Sequence, residues 1–130
     1  MLLVPTRLGI SPIEGIGLFA TSPIAKGTVT WRFMPGFDQL FTRAQIDSLP
    51  EPARSGLLRY VYFHEGSRQY VFCLDNARFM NHTHEPNTRG VDPPDQPYGY
   101  DVATRDISAG EELTCDYREF DGEHAKKGLS

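Results

Sequence analysis

Apolar positions along this chain come in short runs, and most runs end at a glycine or a proline. Leu2–Val4 and Leu8–Ser11 read as the first strand pieces, and Leu18–Ala20 as the next, after a bend at Gly15-Ile16-Gly17. Ile24–Lys26 with Gly27 makes a turn before Thr28–Phe33, a β-branched and aromatic run of the kind strands favour. Pro35-Gly36 ends it. The period then changes. Thr42–Leu49 predicts a helix: Thr42 suits an N-cap, Gln45 stands three residues on as a capping-box partner, and Pro50 and Pro52 stop the run. Pro52–Leu58 predicts a second short helix. Arg59–His64 and Gln69–Leu74 flank Glu65-Gly66-Ser67-Arg68, a hairpin signal. Asn76–Asn87 is polar and irregular, and Val91–Gln96 is a Pro/Asp-rich surface loop. Tyr100–Thr104 predicts a strand, Ser108-Ala109-Gly110 a turn, and Glu112–Asp116 a last short strand. The tail Arg118–Ser130 is charged, with weak helical potential and a frayed end.

The chain therefore reads as mostly β with one or two short helices, loop-rich rather than a βαβ repeat. Its 130 residues fit one domain, 1–130, with a core over about 10–120 and a short C-terminal tail at 118–130. A domain of this size hides roughly two-thirds of its unfolded surface and needs no covalent staple.

Charge narrows the partners. A net charge of −4 leaves no basic patch for direct contact with nucleic acid. It tolerates a cationic partner, although on charge alone an ordinary solubility balance is the stronger account. Cys73 and Cys115 form no C-x-x-C pair and have no zinc-ligand spacing, so they read as small buried hydrophobes. Pro5 and Arg7 interrupt MLLVPTRLGI, which is too short for a signal peptide. No run approaches the ~20 apolar residues of a membrane span. These features predict a soluble intracellular protein in a reducing compartment, cytoplasmic or, in a eukaryote, nuclear.

Three segments carry candidate chemistry. Glu14-Gly15-Ile16-Gly17 lets backbone approach a ligand closely, but without a third glycine and a following helix it is no dinucleotide fingerprint. Asp75–Asn87, with the words RFMNHTHEPN, concentrates Arg, Asn and His where core periodicity is weak. His82, His84 and Glu85 have the residue types of metal ligands, but no Cys or His cluster stands nearby and His64 and His124 are distant; no metal is predicted. The third segment, GEELTCDY at 110–117, is a turn leading into a strand that ends on Asp-Tyr.

Together and in this order the three resemble the SET domain of protein-lysine methyltransferases, in a minimal, stand-alone form without cysteine-rich flanks. The resemblance implies a β-clip-like fold of several small sheets with a C-terminal pseudoknot. It implies transfer of methyl groups from S-adenosyl-L-methionine, leaving S-adenosyl-L-homocysteine, to a lysine of a protein. A histone, a histone-like protein or a ribosomal protein would all supply such a lysine. Tyr117 matches the catalytic tyrosine. Gly15, Ile16, Gly17, Asn81 and His82 match the cofactor cleft, with Arg78, Phe79 and Tyr60 beside it. No Cys cluster follows Tyr117, so the zinc-binding flank of many relatives is absent and the lysine channel must be closed otherwise. Phe120, Tyr98 and Tyr100 are the aromatic candidates, and a homodimer is another way to cover it. Cys115 stands two before the tyrosine, where relatives carry Phe or Tyr; its small side chain suggests room for more than one methyl. The alternative reading is a catalytically inactive SET-like module that binds cofactor or peptide, and retention of Tyr117 with the Asn-His pair favours the enzyme.

Overall fold

The computed structural model describes residues 1–123. Ten short strands make three small sheets. The first holds β1 (Thr6–Ile10), β2 (Ile16–Ala20), β10 (Glu112–Cys115) and β7 (Asn81–His82), in the order β1-β2-β10-β7. The second has the order β3-β9-β8, from β3 (Val29–Arg32), β9 (Tyr100–Ala103) and β8 (Thr88–Val91). The third is β4-β6-β5, from β4 (Gln39–Phe41), β6 (Gln69–Phe72) and β5 (Val61–His64). Two short α-helices, α1 (Arg43–Asp47) and α2 (Ala53–Tyr60), lie between β4 and β5 in sequence. Single 3-10 turns cover Asn76–Phe79 and Tyr117–Glu119. None of the described helices is long and apolar enough to cross a membrane.

Local chemistry accounts for several boundaries. The predicted capping box is present at α1: Gln45 N–H donates to Thr42 Oγ1 at 3.1 Å and Thr42 N–H donates to Gln45 Oε1 at 2.8 Å. The hairpin of β5 and β6 is present, antiparallel with Phe63 opposite Tyr70, but Arg59 and Tyr60, read as strand, belong to α2. The hairpin turn places Arg68, not Gly66, in the left-handed region, at φ 56°.

Other elements depart from the expectation. Leu2–Val4 forms no strand; Leu2 makes only an isolated bridge to Trp31, and β1 begins after Pro5, which has no N–H to give a ladder. β4 and β8 are strands that sequence reasoning missed, and β7 is a two-residue strand inside the stretch read as irregular. Their pairing is supplied by neighbours distant in sequence, which local propensity does not see. The predicted tail begins as the 3-10 turn at Tyr117–Glu119; residues 124–130, including His124, lie outside the described residues.

The main core gathers Leu18, Ala20, Ile24, Met80, Ile107 and Leu113 between the first two sheets, with Leu18 and Leu113 fully buried opposite each other in the β2–β10 pair. A second cluster, Ile46, Val61 and Tyr70, seats α1 on the third sheet. Cys73 and Cys115 are both buried free thiols. Burial pushes both well above the ordinary thiol range, so they remain protonated.

Candidate active site

The polar segment Asp75–Asn87 and the final strand are held together by a short parallel pairing. Thr114 stands opposite Asn81 and Cys115 opposite His82. Thr83 N–H extends the ladder to the Cys115 carbonyl at 2.9 Å. Asn87, 2% exposed, acts as a side-chain rung: its Nδ2 donates to the Glu112 carbonyl at 2.8 Å and its Oδ1 accepts from Thr114 N–H at 2.9 Å. The buried polar groups of Asn87, Thr88 and Thr114 thus find partners in the other segment, which fixes where β10 ends and Tyr117 begins.

Tyr117 is anchored at both ends. Its backbone N–H donates to His82 Nδ1 at 3.0 Å, and its hydroxyl donates to the Met80 carbonyl at 2.6 Å. Burial pushes its phenol above the ordinary tyrosine range, so it stays protonated at neutral pH. Asp116 Oδ1 lies 3.5 Å from the same His82 nitrogen, which would suit an ion pair. Two facts favour a neutral ring instead. Nδ1 is already an acceptor, and burial, the largest effect on His82, lowers its affinity for a second proton. Asp116 is meanwhile held down to about 2 by the Arg118 guanidinium, whose Nη2 lies 2.6 Å from Oδ2. In the neutral tautomer His82 Nε2 carries the proton; it is buried with no hydrogen-bond partner among the described residues.

On one side of Tyr117 lies a cleft lined by Gly15, Ile16, Tyr60, Arg78, Phe79, Asn81 and His82. Gly15 needs its freedom here, at φ +48° with open space where a Cβ would stand. Asn81 Nδ2 reaches the Glu14 carbonyl at 3.1 Å, the Ile16 carbonyl at 3.3 Å and Glu112 Oε2 at 2.9 Å, tying the glycine bend to β10. Arg78 is bound to its own turn, donating to the Leu74 and Asp75 carbonyls at 2.9 and 3.0 Å with its guanidinium over Phe79. Gly17 does not line the cleft. A Cβ there would come within 2.3 Å of Glu112 Oε2, so this glycine makes room for a carboxylate that Ser11 Oγ also holds, at 2.8 Å.

On the other side lies a cavity walled by aromatic rings. Tyr98, Tyr100, Cys115 and Phe120, the four predicted channel residues, all line it, as do Tyr62 and Trp31, which the sequence reading missed. Arg59, Tyr60, Arg78, Met80 and Tyr117 border both spaces. The chain's own last described segment closes the aromatic side. Phe120 meets Tyr62 edge-on at 4.9 Å, Asp121 Oδ1 accepts from Phe63 N–H at 3.0 Å, and Gly122 N–H donates to the Phe63 carbonyl at 2.9 Å. Period-2 alternation along Val61–His64 could have marked Tyr62, but only the position of Phe120 says which face looks into the cavity. Among the described residues, no group of three or more His, Cys, Asp and Glu side chains could hold a metal ion.

The sequence model of one protein family, the SET domain, matches residues 15–118. Among solved structures, a Plasmodium falciparum protein described as a candidate histone methyltransferase is 18% identical, with a TM-score of 0.60 over 89% of this chain and 95% of that one. Polycomb repressive complex 2 of Chaetomium thermophilum, bound to GSK126, gives 23% identity and a TM-score of 0.68 over 95% of this chain. The same complex in an autoinhibited conformation with S-adenosylmethionine gives 24% and 0.67, again over 95%. This chain spans only 17% and 16% of those two chains. At these identities the likeness is one of fold. Among curated proteins none matches the chain significantly.

Proposed function

The chain belongs to the SET-domain family, and from that premise we propose that it is a protein-lysine methyltransferase that uses S-adenosylmethionine. One observation carries the reading: Tyr117 stands in the wall between a polar cleft and an aromatic cavity, with its hydroxyl committed to the Met80 carbonyl. The same crossing of β7 and β10 that sets this position is what we read as the family's pseudoknot.

The cleft fits the cofactor. Gly15 offers open backbone, and His82 Nε2–H is a buried donor that lacks an acceptor, as an adenine edge would provide. Gly15, Ile16, Asn81 and His82 would hold it, with Tyr60 and Phe79, whose rings meet at 5.3 Å, along its side. When bound, S-adenosylmethionine supplies a methyl group on a positive sulfonium. The protein's part is position and electrostatics. Because the Tyr117 proton is given to Met80, its oxygen presents lone pairs only, an acceptor for the polarised hydrogens of a sulfonium methyl or of an amine. A free lysine has a pKa of about 10.4, and the nucleophile must be neutral; the aromatic walls lower that pKa by desolvation. Aligning two reactants across one tyrosine is worth up to about 7–11 kcal/mol in favourable cases, without a strong general base.

We read the channel as closed by the chain's own 117–123 segment rather than by a second copy, and the substrate as a histone, a histone-like protein or a ribosomal protein. The likeness to solved structures that include a candidate histone methyltransferase and a Polycomb complex supports the first of these. The inactive-module reading is less well supported, because Tyr117 keeps its anchored hydroxyl. The test is transfer of labelled methyl from S-adenosylmethionine onto a cell lysate, with mass spectrometry of the labelled proteins. Tyr117→Phe should lose transfer by about 100-fold or more while still binding the cofactor in a calorimetric titration. Equal transfer by the variant would remove Tyr117 from the mechanism.

A further inference from the structure

Resting on the methyltransferase reading above, we propose that Asp101 is the substrate-binding carboxylate of the channel: it receives the ammonium of the incoming lysine and accepts its proton. Three observations converge on it. Asp101 lies in the middle of β9, opposite Trp31 on β3 and Gly90 on β8, and all three line the aromatic cavity that Tyr117 borders. Gly90 leaves the carboxylate uncovered: a Cβ at Gly90 would stand 3.8 Å from Asp101 Oδ1. Among the described residues no group donates a hydrogen bond to that carboxylate; only the Asp101 backbone carbonyl has a donor, Thr30 Oγ1 at 3.4 Å.

A half-buried carboxylate without hydrogen-bond donors or an ion-pair partner is costly, and native folds rarely keep one without a use. A second polar group on the same wall is equally unmatched. Trp31 is 5% exposed and its Nε1–H has no partner among the described residues. Arg59 and Arg78 also line the cavity, but neither makes an ion pair with Asp101, and Arg78 is spent on its own turn's carbonyls; the cavity therefore holds an unpaired acceptor among rings suited to the aliphatic stem and charged end of a lysine. The rim adds direction. Asp92 and Glu119 also line the cavity and are exposed, as is Arg59, so the rim carries two carboxylates against one guanidinium.

Burial, with Glu119 and Asp92 nearby and the Met1 amino group only weakly opposing, pushes the Asp101 carboxyl up to about 7. An acid so poised is charged often enough to attract a cation and basic enough to take a proton from an amine whose own affinity the cavity has lowered. The step balances. One N–H bond of the ammonium breaks, its electron pair stays on nitrogen, and the proton bonds to a carboxylate oxygen. The neutral amine then holds the lone pair that methylation needs, and the proton on Asp101 leaves to solvent past the acidic rim.

Two measurements on the full chain test this. With the aspartate carboxyl carbons labelled, one resonance, absent from Asp101→Asn, should titrate near neutrality, and n-butylammonium should lower its midpoint. In methyl transfer to acid-extracted histones and lysate proteins, Asp101→Asn should raise KM and cut kcat/KM at neutral pH by about tenfold or more. That deficit should close as the pH approaches about 10.4, where lysine loses its proton unaided. A resonance indifferent to n-butylammonium, or a variant that matches the wild type in KM and pH profile, overturns the assignment and leaves the methyltransferase reading standing. A wild type that labels no lysine overturns both.

Discussion

Gly17→Ala tests whether the second glycine of the bend serves the ligand or the fold. An ideal Cβ at this position lies 2.3 Å from Glu112 Oε2, 2.9 Å from Glu112 Cδ and 3.0 Å from Ser11 Cβ. The first two distances are not tolerable, so the carboxylate must swing away. It then gives up Ser11 Oγ at 2.8 Å and Asn81 Nδ2 at 2.9 Å. Hydrogen bonds to charged groups are worth about 1.5–3 kcal/mol each. Glu112 is only part-buried, so water restores some of this, and replacing glycine lowers the unfolded chain's entropy by about 0.4–1 kcal/mol in the opposite sense. The expected net loss is about 2–4 kcal/mol, or roughly 6–20 °C in Tm for a domain of this size. The assay is urea unfolding of a double-mutant cycle with Glu112→Ala. Once the carboxylate is gone, the alanine meets only Ser11, so the double variant's loss should fall short of the sum of the two single losses by about 1.5 kcal/mol or more. Losses that add within about 0.5 kcal/mol would refute the steric reasoning and return Gly17 to the cleft.

Two further predictions concern the crossing and the channel. Asn87→Ala deletes all three side-chain bonds to β10 and leaves the buried Thr114 N–H without an acceptor; stability should fall by about 3–5 kcal/mol, read by chemical denaturation. The Asp101 carboxyl, raised to about 7 in the fold against 3.8 unfolded, adds stability while protonated and loses it as pH rises through the folded value. Unfolding free energy should therefore decline between about pH 4 and pH 7, by an amount on the order of 1–3 kcal/mol, since the cavity admits some water. Asp101→Asn should flatten that component, and a decline that persists unchanged in the variant would assign it to other groups.

Much of the fold was legible because its signals are local. The capping box at Thr42 and Gln45, the prolines after it and the hairpin around Gly66 each specify geometry within a few residues, and the structure has all three elements. What was not legible depends on distant pairing. Thr88-Arg89-Gly90-Val91 has no strand pattern of its own; it becomes β8 because β9 offers a complete antiparallel edge, Thr88 opposite Ala103 through Val91 opposite Tyr100. Leu2–Val4 failed in the reverse direction, apolar enough for a strand but cut off by Pro5 before any ladder forms.

The same distinction divides the candidate site. RFMNH and GEELTCDY could be read as words because their side chains bond to each other's backbones, so residue type and spacing are both constrained: Tyr117 needs the Met80 carbonyl and the His82 ring, and β10 needs the Asn87 amide. Channel walls carry no such constraint. Any ring that fills the space serves, and Tyr62 belongs to the wall because Phe120 leans on it, a contact 58 residues apart in sequence. Asp101 is the extreme case. In sequence it is one polar position in a strand, Tyr-Asp-Val-Ala, and alternation alone puts such a residue toward solvent. Only its register against Trp31 and Gly90 brings it onto the cavity that Tyr62, Tyr98, Tyr100 and Phe120 also line. A charged residue in that setting weakens the fold whenever it ionises, and that is the expected cost of a group whose partner arrives with the substrate.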